Sequence, residues 1–324
     1  MKSEFKKGYT VYRKGKNNDL VIVTPHSGPA LETTLSQDAN SETVASLLWK
    51  EIGGTLIISN MPRKRMWGID FNRGIPSKEL ALKHFKDFQD KEYGGNLVDY
   101  RKKYAWVAID EEDYNNRLNI YRDFWDEVKK GKIIIMIHRA FPRLKAYPSI
   151  LDIVTFNSKG VNKEKLKGVI EKVNNKYYSF FKNVENDYKF MVKFEEKRFC
   201  SELLELFHEF DIDKIDKEYG DHLRKDVEKI KKYADKDIIK ELEEKFTPQN
   251  FVKGVESALN NMGIPEITIE EVFTGDLAVG PKKELFPNEG KVIIEVEGSR
   301  FINFWHPHVA KDIIIDVVNG LTKV

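Results

Sequence analysis

The stretch LVIVTPHSG, residues 20–28, indicates the fold class of this chain. Its first four residues are apolar and mostly β-branched, which is typical of a strand that is buried on both faces. Thr24-Pro25 ends the strand, since proline lacks the N–H that a sheet ladder needs. His26 follows at once, so a polar side chain stands where a buried strand ends.

The same alternation continues outward from this stretch. Apolar positions at helical spacing predict a helix over 44–52, which Gly53-Gly54 ends, and a second over 114–128. Apolar runs predict strands at 55–58, 132–138 and 292–296, with a short one at 69–71. A closing helix is expected over 309–321. Strands that alternate with helices predict an α/β layer fold with a largely parallel sheet.

Residues 161–250 differ from the rest in composition. They hold 20 basic and 21 acidic residues, with apolar residues between them, two glycines and one proline. Such a balanced pattern predicts amphipathic helices rather than a nucleic-acid arm, which would need a basic excess. We therefore predict an α/β domain formed by 1–160 and 262–324, with 161–261 as a helical insertion or lid.

The overall composition excludes several classes of protein. The 324 residues carry 54 basic and 52 acidic side chains, a net charge of +2, which disfavours nucleic-acid binding. The single Cys200 excludes an internal disulfide. The apolar run 133–137 is far shorter than the roughly 18 residues that span a bilayer, and 1–18 contain no apolar leader. We expect a cytoplasmic protein with no membrane partner; the pattern leaves its oligomeric state open.

Polar residues at strand ends are the candidates for chemistry. Ligands bind outside the carboxyl ends of strands in open α/β sheets, and His26 and His138 both stand at such ends. Two imidazoles, with a carboxylate or another histidine as third ligand, could hold a metal ion with an open position. The segment 70–73, Asp-Phe-Asn-Arg, adds an amide and a guanidinium suited to a carboxylate. Glu295 is an acid within an apolar strand, so it is either paired or functional.

Each candidate also has a purely structural interpretation. A histidine after a strand is commonly a hydrogen-bonded core or loop residue, and Glu295 could face solvent on an edge strand beside Glu297. The remaining histidines favour packing, capping or solvated helix faces: His84, His208, His222 with Asp226, and the pair His306 and His308.

The motifs together resemble the N-formylglutamate amidohydrolase family, within the zinc-carboxypeptidase-like hydrolases. The resemblance is carried by 23–28 (VTPHSG), by 51–55 with Arg65 and 70–73, by 121–138, and by 273–276 with 294–301. These pieces lie in 20–138 and 271–324. The resemblance implies a three-layer fold of the zinc-carboxypeptidase (phosphorylase/hydrolase-like) type, with a mixed, mostly parallel sheet.

The resemblance also implies a zinc site. Its two histidines correspond to His26 and His138. Pro29 stands three residues after His26, so the His-x-x-Glu spacing of carboxypeptidases is absent and the acidic ligand must come later. Glu42 at the start of the predicted helix is the preferred ligand, with Asp38 and Glu32 as alternatives.

The implied activity is hydrolysis of the C–N bond of an N-acyl amino acid or a small peptide. Glu295 would act as general base and then acid, while Asn72, Arg73 and Arg65 would hold the substrate carboxylate. An alternative is a binding or scaffold protein that kept the fold and lost the activity. Two departures motivate it: Met136 stands where the family has an aspartate, and the helices of 161–250 are additional. The acyl group and amino acid of the substrate stay open.

Overall fold

A computed structural model describes residues 2–15, 19–29, 37–90, 97–286 and 290–322. Eight strands form one sheet in this part of the chain. Their bounds are β1 Lys2–Lys6, β2 Tyr9–Lys14, β3 Leu20–Thr24, β4 Gly54–Ser59, β5 Ile133–Ala140, β6 Ser149–Val154, β7 Glu266–Ile269 and β8 Val292–Ser299.

The sheet order is β1-β2-β4-β3-β5-β8-β6-β7. The four central strands β4, β3, β5 and β8 are parallel to one another, whereas β2 and β6 pair antiparallel to them. The mixed, mostly parallel α/β sheet predicted from the sequence is therefore confirmed. Strand β3 is buried along its whole length, as expected for a central parallel strand.

Thirteen helices are described around this sheet. Their bounds are α1 Ser41–Ile52, α2 Lys78–Lys83, α3 Phe85–Asp90, α4 Val98–Lys103, α5 Glu111–Val128, α6 Lys163–Phe207, α7 Ile212–Tyr219, α8 His222–Tyr233, α9 Lys236–Glu244, α10 Pro248–Asn261, α11 Val279–Leu285, α12 Arg300–Trp305 and α13 Pro307–Thr322. The helices predicted over 44–52, 114–128 and 309–321 correspond to α1, α5 and α13. Within the described ranges, no helix is both long and apolar enough to cross a membrane.

Alternate residues of each central strand enter two different cores. Ile22 and Ile135 pack into a core that includes α1, α6 and α13. Their neighbours Val23 and Met136 pack into a second core with α5. Because strand side chains alternate between faces, helices cover the sheet on both sides and the fold has three layers.

The short strand predicted at 69–71 is wrong. Ile69 donates its N–H to the carbonyl of Pro62, and Asp70 donates to that of Ala105, at 2.9 Å in both cases. These hydrogen bonds to two separate loops hold the segment in a buried turn. Burial of Ile69 and Phe71 explains the apolar pattern without a strand.

The amphipathic helices predicted for 161–250 are present as α6 to α10. They lie in sequence between β6 and β7, which are neighbouring strands of the sheet. Leu166, Val192, Ile230 and Phe251 contribute to the core on the α1 face. The helices therefore share a core with the sheet, while the domain division at 160 and 262 stays a prediction.

Candidate metal centre

Polar side chains at or after the ends of three parallel strands meet at the carboxyl edge of the sheet. His26 follows β3 by two residues, His138 lies near the end of β5, and Asp70 with Asn72 lies in the connection after β4. All four side chains are buried. His138 shares the strand face of Met136, so the site lies on the α5 side of the sheet.

Two imidazoles converge on one carboxylate oxygen here. Oδ2 of Asp38 lies 3.3 Å from Nδ1 of His26 and 2.8 Å from Nδ1 of His138. The two imidazole centroids are 4.8 Å apart. One ligand atom from each residue lies within 4.8 Å of the others, and all three residues are at least 95% buried.

Local backbone structure places Asp38 over His26. The N–H of Asp38 donates to the carbonyl of His26 at 2.9 Å, and its own carbonyl accepts from Ser41 at the start of α1. Gly28 lies so close to the Met61 carbonyl that a Cβ would come within 1.9 Å of that oxygen. Only glycine allows this close approach, which keeps the His26 turn tight against the connection after β4.

Burial and hydrogen bonding act in opposite directions on the acid of this group. Burial alone would raise the pKa of Asp38, but hydrogen bonds and charge from His138 and His26 lower it well below its usual range. Burial would lower the pKa of His138, yet the charges of Glu295 and Asp38 raise it. The carboxylate of Asp38 is therefore ionised, and an ionised carboxylate can bind a cation.

Asp70 orients His26 from the opposite side. Its Oδ1 lies 2.8 Å from Nε2 of His26, and its Oδ2 accepts from Arg65 at 3.0 Å and from Arg63 at 3.3 Å. Burial would raise the pKa of Asp70, but the charges of His26 and the arginines lower it well below its usual range. When a cation is bound at Asp38, ionised Asp70 would accept the Nε2 proton of His26 and leave the lone pair of Nδ1 for that cation.

Three acceptor oxygens near this group have no hydrogen-bond donor among the described residues. They are Oε2 of Glu42, Oδ1 of Asn72 and Oε2 of Glu295. Nδ2 of Asn72 lies 3.4 Å from Nε2 of His138. With the amide of Asn72 rotated, its Oδ1 would accept the Nε2 proton of His138, and the lone pair of Nδ1 would be free for a cation bound at Asp38. Such an excess of acceptors suits a bound cation.

Strand β8 adds two buried acids on the same face. It pairs with β5 and β6, so the interpretation of Glu295 as a solvent-facing residue on an edge strand is wrong. The register places Glu295 opposite Met136 and Glu297 opposite His138. Burial, together with the charges of Glu295 and Asp38, raises the pKa of Glu297 well above its usual range.

Glu42, the preferred acidic ligand, lies outside the group of three. It is half-buried in the first turn of α1, where burial raises its pKa and the backbone N–H groups of Asn40 and Glu42 lower it. The structure instead brings the alternative acid, Asp38, to both histidines. The loop before α1 folds back on His26, which the family resemblance could not reveal. Glu32 lies outside the described residues.

The predicted substrate-binding residues have different surroundings. Arg65 is buried and donates to Asp70, to the carbonyl of Arg101 at 2.6 Å and to that of Tyr104 at 3.4 Å. Half-buried Arg73 donates to the carbonyls of Arg101 at 3.0 Å and Leu277 at 2.5 Å. Burial lowers its pKa to about 10, partly opposed by the charge of Asp70. Arg65 thus holds Asp70 in place, whereas the guanidinium of Arg73 is held by two backbone carbonyls.

Sequence reasoning gave no role to three residues that the structure places here. Asp70 was visible in the Asp-Phe-Asn-Arg segment, and Glu297 in the alternation Glu-Val-Glu of 295–297. The sequence around Arg63 has no pattern that would predict a role for it. In the structure, Nη1 of Arg63 lies 3.7 Å from Oδ1 of Asp38.

Comparison with known proteins found similarity to solved structures. No protein-family model matches the chain, and no curated protein does. The chain is similar to the crystal structure of gene product Atu2144 from Agrobacterium tumefaciens, with a TM-score of 0.49 and 10% sequence identity. That similarity covers 97% of this chain and 95% of the other.

Proposed function

We propose that this protein is a zinc-dependent amidohydrolase that cleaves the C–N bond of an N-acyl amino acid, N-formylglutamate-like, or of a small peptide. One observation carries the proposal: the Nδ1 atoms of His26 and His138 meet one oxygen of Asp38 in a buried site. We propose the zinc-carboxypeptidase type of three-layer fold for the same chain, since the site lies at the strand ends where that resemblance expects it.

The donor set fits zinc. Imidazole nitrogens and a carboxylate oxygen are its common ligands, and three protein ligands leave a position open for chemistry. Asp70 on His26 and Asn72 on His138 provide the outer contacts that fix ligand orientation. We therefore propose His26, Asp38 and His138 as the ligands, with Asp38 in place of Glu42.

Bound zinc would lower the pKa of a coordinated water to about 7 and polarise the substrate carbonyl. The chain itself must then move one proton. A carboxylate of β8 accepts it from the attacking water and returns it to the nitrogen of the leaving amine as the C–N bond breaks. Glu295 is the residue that the sequence predicts for this role, and its Oε2 has no donor in the described structure.

Substrate orientation would come from the connection after β4. Asn72 contacts His138, and Arg73 is the guanidinium closest in sequence to that amide. Together they suit the carboxylate of an amino-acid product, and the planar guanidinium favours bidentate binding. Arg65 contributes indirectly by holding Asp70. Correct placement of the scissile carbonyl would raise the rate of hydrolysis, because a misplaced carbonyl loses the rate advantage of being held close to the attacking water.

Metal analysis combined with a substrate panel tests the proposal. Purified protein should contain about one zinc per chain, and it should release free amine from at least one N-formyl or N-acetyl amino acid. Chelation should abolish the release, and added zinc should restore it. Absence of zinc binding would contradict the proposal. Zinc binding without hydrolysis across the panel would instead favour the binding or scaffold protein, which Met136 and the added helices motivate.

A further inference from the structure

The two edge strands of the sheet differ in how their outward backbone groups are covered. Strand β7 forms one edge, and the side chain of Asn174 in α6 lies against it. Nδ2 of Asn174 donates to the carbonyl of Ile267 at 3.0 Å, and its Oδ1 accepts the N–H of Ile267 at 2.9 Å. The amide thus occupies the two groups that another strand would need, so the β7 edge is closed at this residue.

Strand β1 forms the other edge, and the register of the β1–β2 hairpin determines which of its groups point outward. Lys6 pairs with Tyr9 across the turn 7–8, and a pair that closes so short a turn exchanges both hydrogen bonds. Such pairs alternate along antiparallel strands, so the N–H and C=O groups of Ser3 and Phe5 point away from β2. No second neighbour of β1 is present in the part of the chain that the structure describes. These backbone groups are therefore available to another strand.

Phe5 lies in the middle of this edge with its side chain in solvent. It is 81% exposed, the largest value among the exposed large apolar side chains of the described ranges. Both faces of β1 are exposed except at half-buried Glu4, so the strand extends beyond the helices that cover the sheet. A further strand therefore has room at the usual spacing of about 4.8 Å.

The residues of β1 are complementary to a second copy of the same strand. In an antiparallel pair around a two-fold axis, residues with outward backbone groups must face each other. Phe5 opposite Phe5 of the second copy satisfies this condition, and the same register sets Glu4 opposite Lys6 on both sides of the axis. Cross-strand pairs of two aromatic rings or of opposite charges are stabilising. The register with Ser3 opposite Phe5 would instead set Glu4 opposite Glu4, and like charges in that position are destabilising.

We propose that two copies of this chain associate through β1, with the two strands antiparallel and Phe5 opposite Phe5. The two sheets then form one continuous sheet across the two-fold axis. Lys6, which would help to protect a free edge in a monomer, instead meets Glu4 of the second copy. A pair of five-residue strands buries little surface, so the association is weak and reversible. The proposal does not depend on the proposed hydrolysis.

Sedimentation velocity of the full chain, over a range of micromolar concentrations, measures this association. The wild type should change from monomer to dimer as its concentration rises. Phe5→Ser should weaken the dimer about tenfold or more, because it removes the pair of rings at the axis. Phe190→Ser is the matched control, since Phe190 is also an exposed aromatic residue but lies on α6. The control should dimerise as the wild type does.

Charge reversal tests the register of the two strands. Lys6→Glu sets like charges opposite each other on both sides of the axis, and so does Glu4→Lys. Each variant alone should therefore dimerise about tenfold more weakly. An equal mixture of the two variants should recover the dimer, because each reversed chain then meets opposite charges at both positions. Circular dichroism checks that each variant keeps its fold, since Glu4 also pairs with Arg13 within the chain.

A wild type that stays monomeric over the whole range would overturn the proposal. A dimer that Phe5→Ser leaves unchanged, or that Phe5→Ser and Phe190→Ser weaken equally, would also overturn it, because the contact would then not lie at β1. If both reversed variants fold but their mixture does not recover the dimer, the pairing of Glu4 with Lys6 is wrong. If a reversed variant fails to fold, the comparison of Phe5→Ser with its control still decides.

Discussion

Oδ2 of Asp38 lies 2.8 Å from Nδ1 of His138, although the two residues are 100 positions apart in the chain. The same oxygen faces His26, so one carboxylate joins two strand ends that the sheet holds side by side. A buried carboxylate between two imidazoles is costly unless protons or a cation neutralise it. That requirement makes Asp38 the residue on which the proposed site depends.

We expect Asp38→Asn to lose zinc and Glu42→Gln to keep it. The amide of asparagine is neutral and a much poorer zinc ligand, whereas Glu42 lies outside the group that meets at Asp38. Zinc per chain, measured by elemental mass spectrometry after dialysis, checks the expectation. The opposite pattern would restore Glu42 as the ligand.

The double variant His26→Ala/His138→Ala should contain no zinc, because it retains one of the three proposed ligands. Circular dichroism should still show the α/β fold, since these side chains lie at the edge of the sheet rather than in either core. Full metal retention in the folded variant would exclude the site.

Asp70→Asn should weaken zinc binding about 10- to 100-fold, as loss of an outer hydrogen bond to a ligating histidine does. The reason is that Asp70, 2.8 Å from Nε2 of His26, would hold the proton on that nitrogen when Nδ1 binds zinc. Competition with a chromogenic chelator measures the affinity. Asp87→Asn is the matched control, because Asp87 also contacts a histidine, His84, but on the exposed surface. Equal effects of both changes would contradict this role of Asp70.

A buried ion cluster joins the helical block to the connection after β5. Arg143 forms ion pairs with Glu196 of α6 at 3.0 Å and with Asp226 of α8, and Glu196 also accepts the N–H of Leu144 at 2.7 Å. Glu196→Ala should lower the free energy of unfolding by about 3–5 kcal/mol, since it leaves a buried guanidinium partly unpaired. Urea denaturation measures this change. Glu241→Ala, an exposed partner of Lys253, should change it by less than about 1 kcal/mol.

His222 should make stability depend on pH. Burial, with the charges of Lys145 and Arg143, lowers its pKa to about 3 in the folded chain, against 6.5 as its usual value. Between these values the unfolded chain binds more protons, so this contribution to stability is present above pH 6.5 and is lost as pH falls toward 3.

The free energy of unfolding should change less with pH in His222→Gln than in the wild type. The expected reduction over this pH range is about 1–2 kcal/mol, with allowance for solvent screening. Urea denaturation of both proteins at several pH values between 4 and 7 gives the comparison. A constant difference between wild type and variant across this range would show that His222 does not titrate as expected.

The sequence alone was sufficient to predict the α/β class, the buried strands and the helices of the charged block. These features follow from local periodicity and composition, and both depend only on residues a few positions apart in the chain. It also identified His26, His138 and the Asp-Phe-Asn-Arg segment as candidates, because polar residues directly after apolar strands are visible without a structure. The strand predicted at 69–71 failed because burial in a turn produces the same apolar pattern as a short strand.

Only the tertiary structure decided which acid meets the two histidines and which glutamate of β8 stands beside His138. The family resemblance favoured Glu42 at the start of the predicted helix, but the loop before α1 returns to His26 and brings Asp38 there instead. Glu295 and Glu297 have the same pattern in sequence, and the parallel register of β5 and β8 separates them. Loop closure and strand register are set by contacts between residues far apart in the chain. One sequence without such contacts therefore specifies the set of candidates and not their geometry.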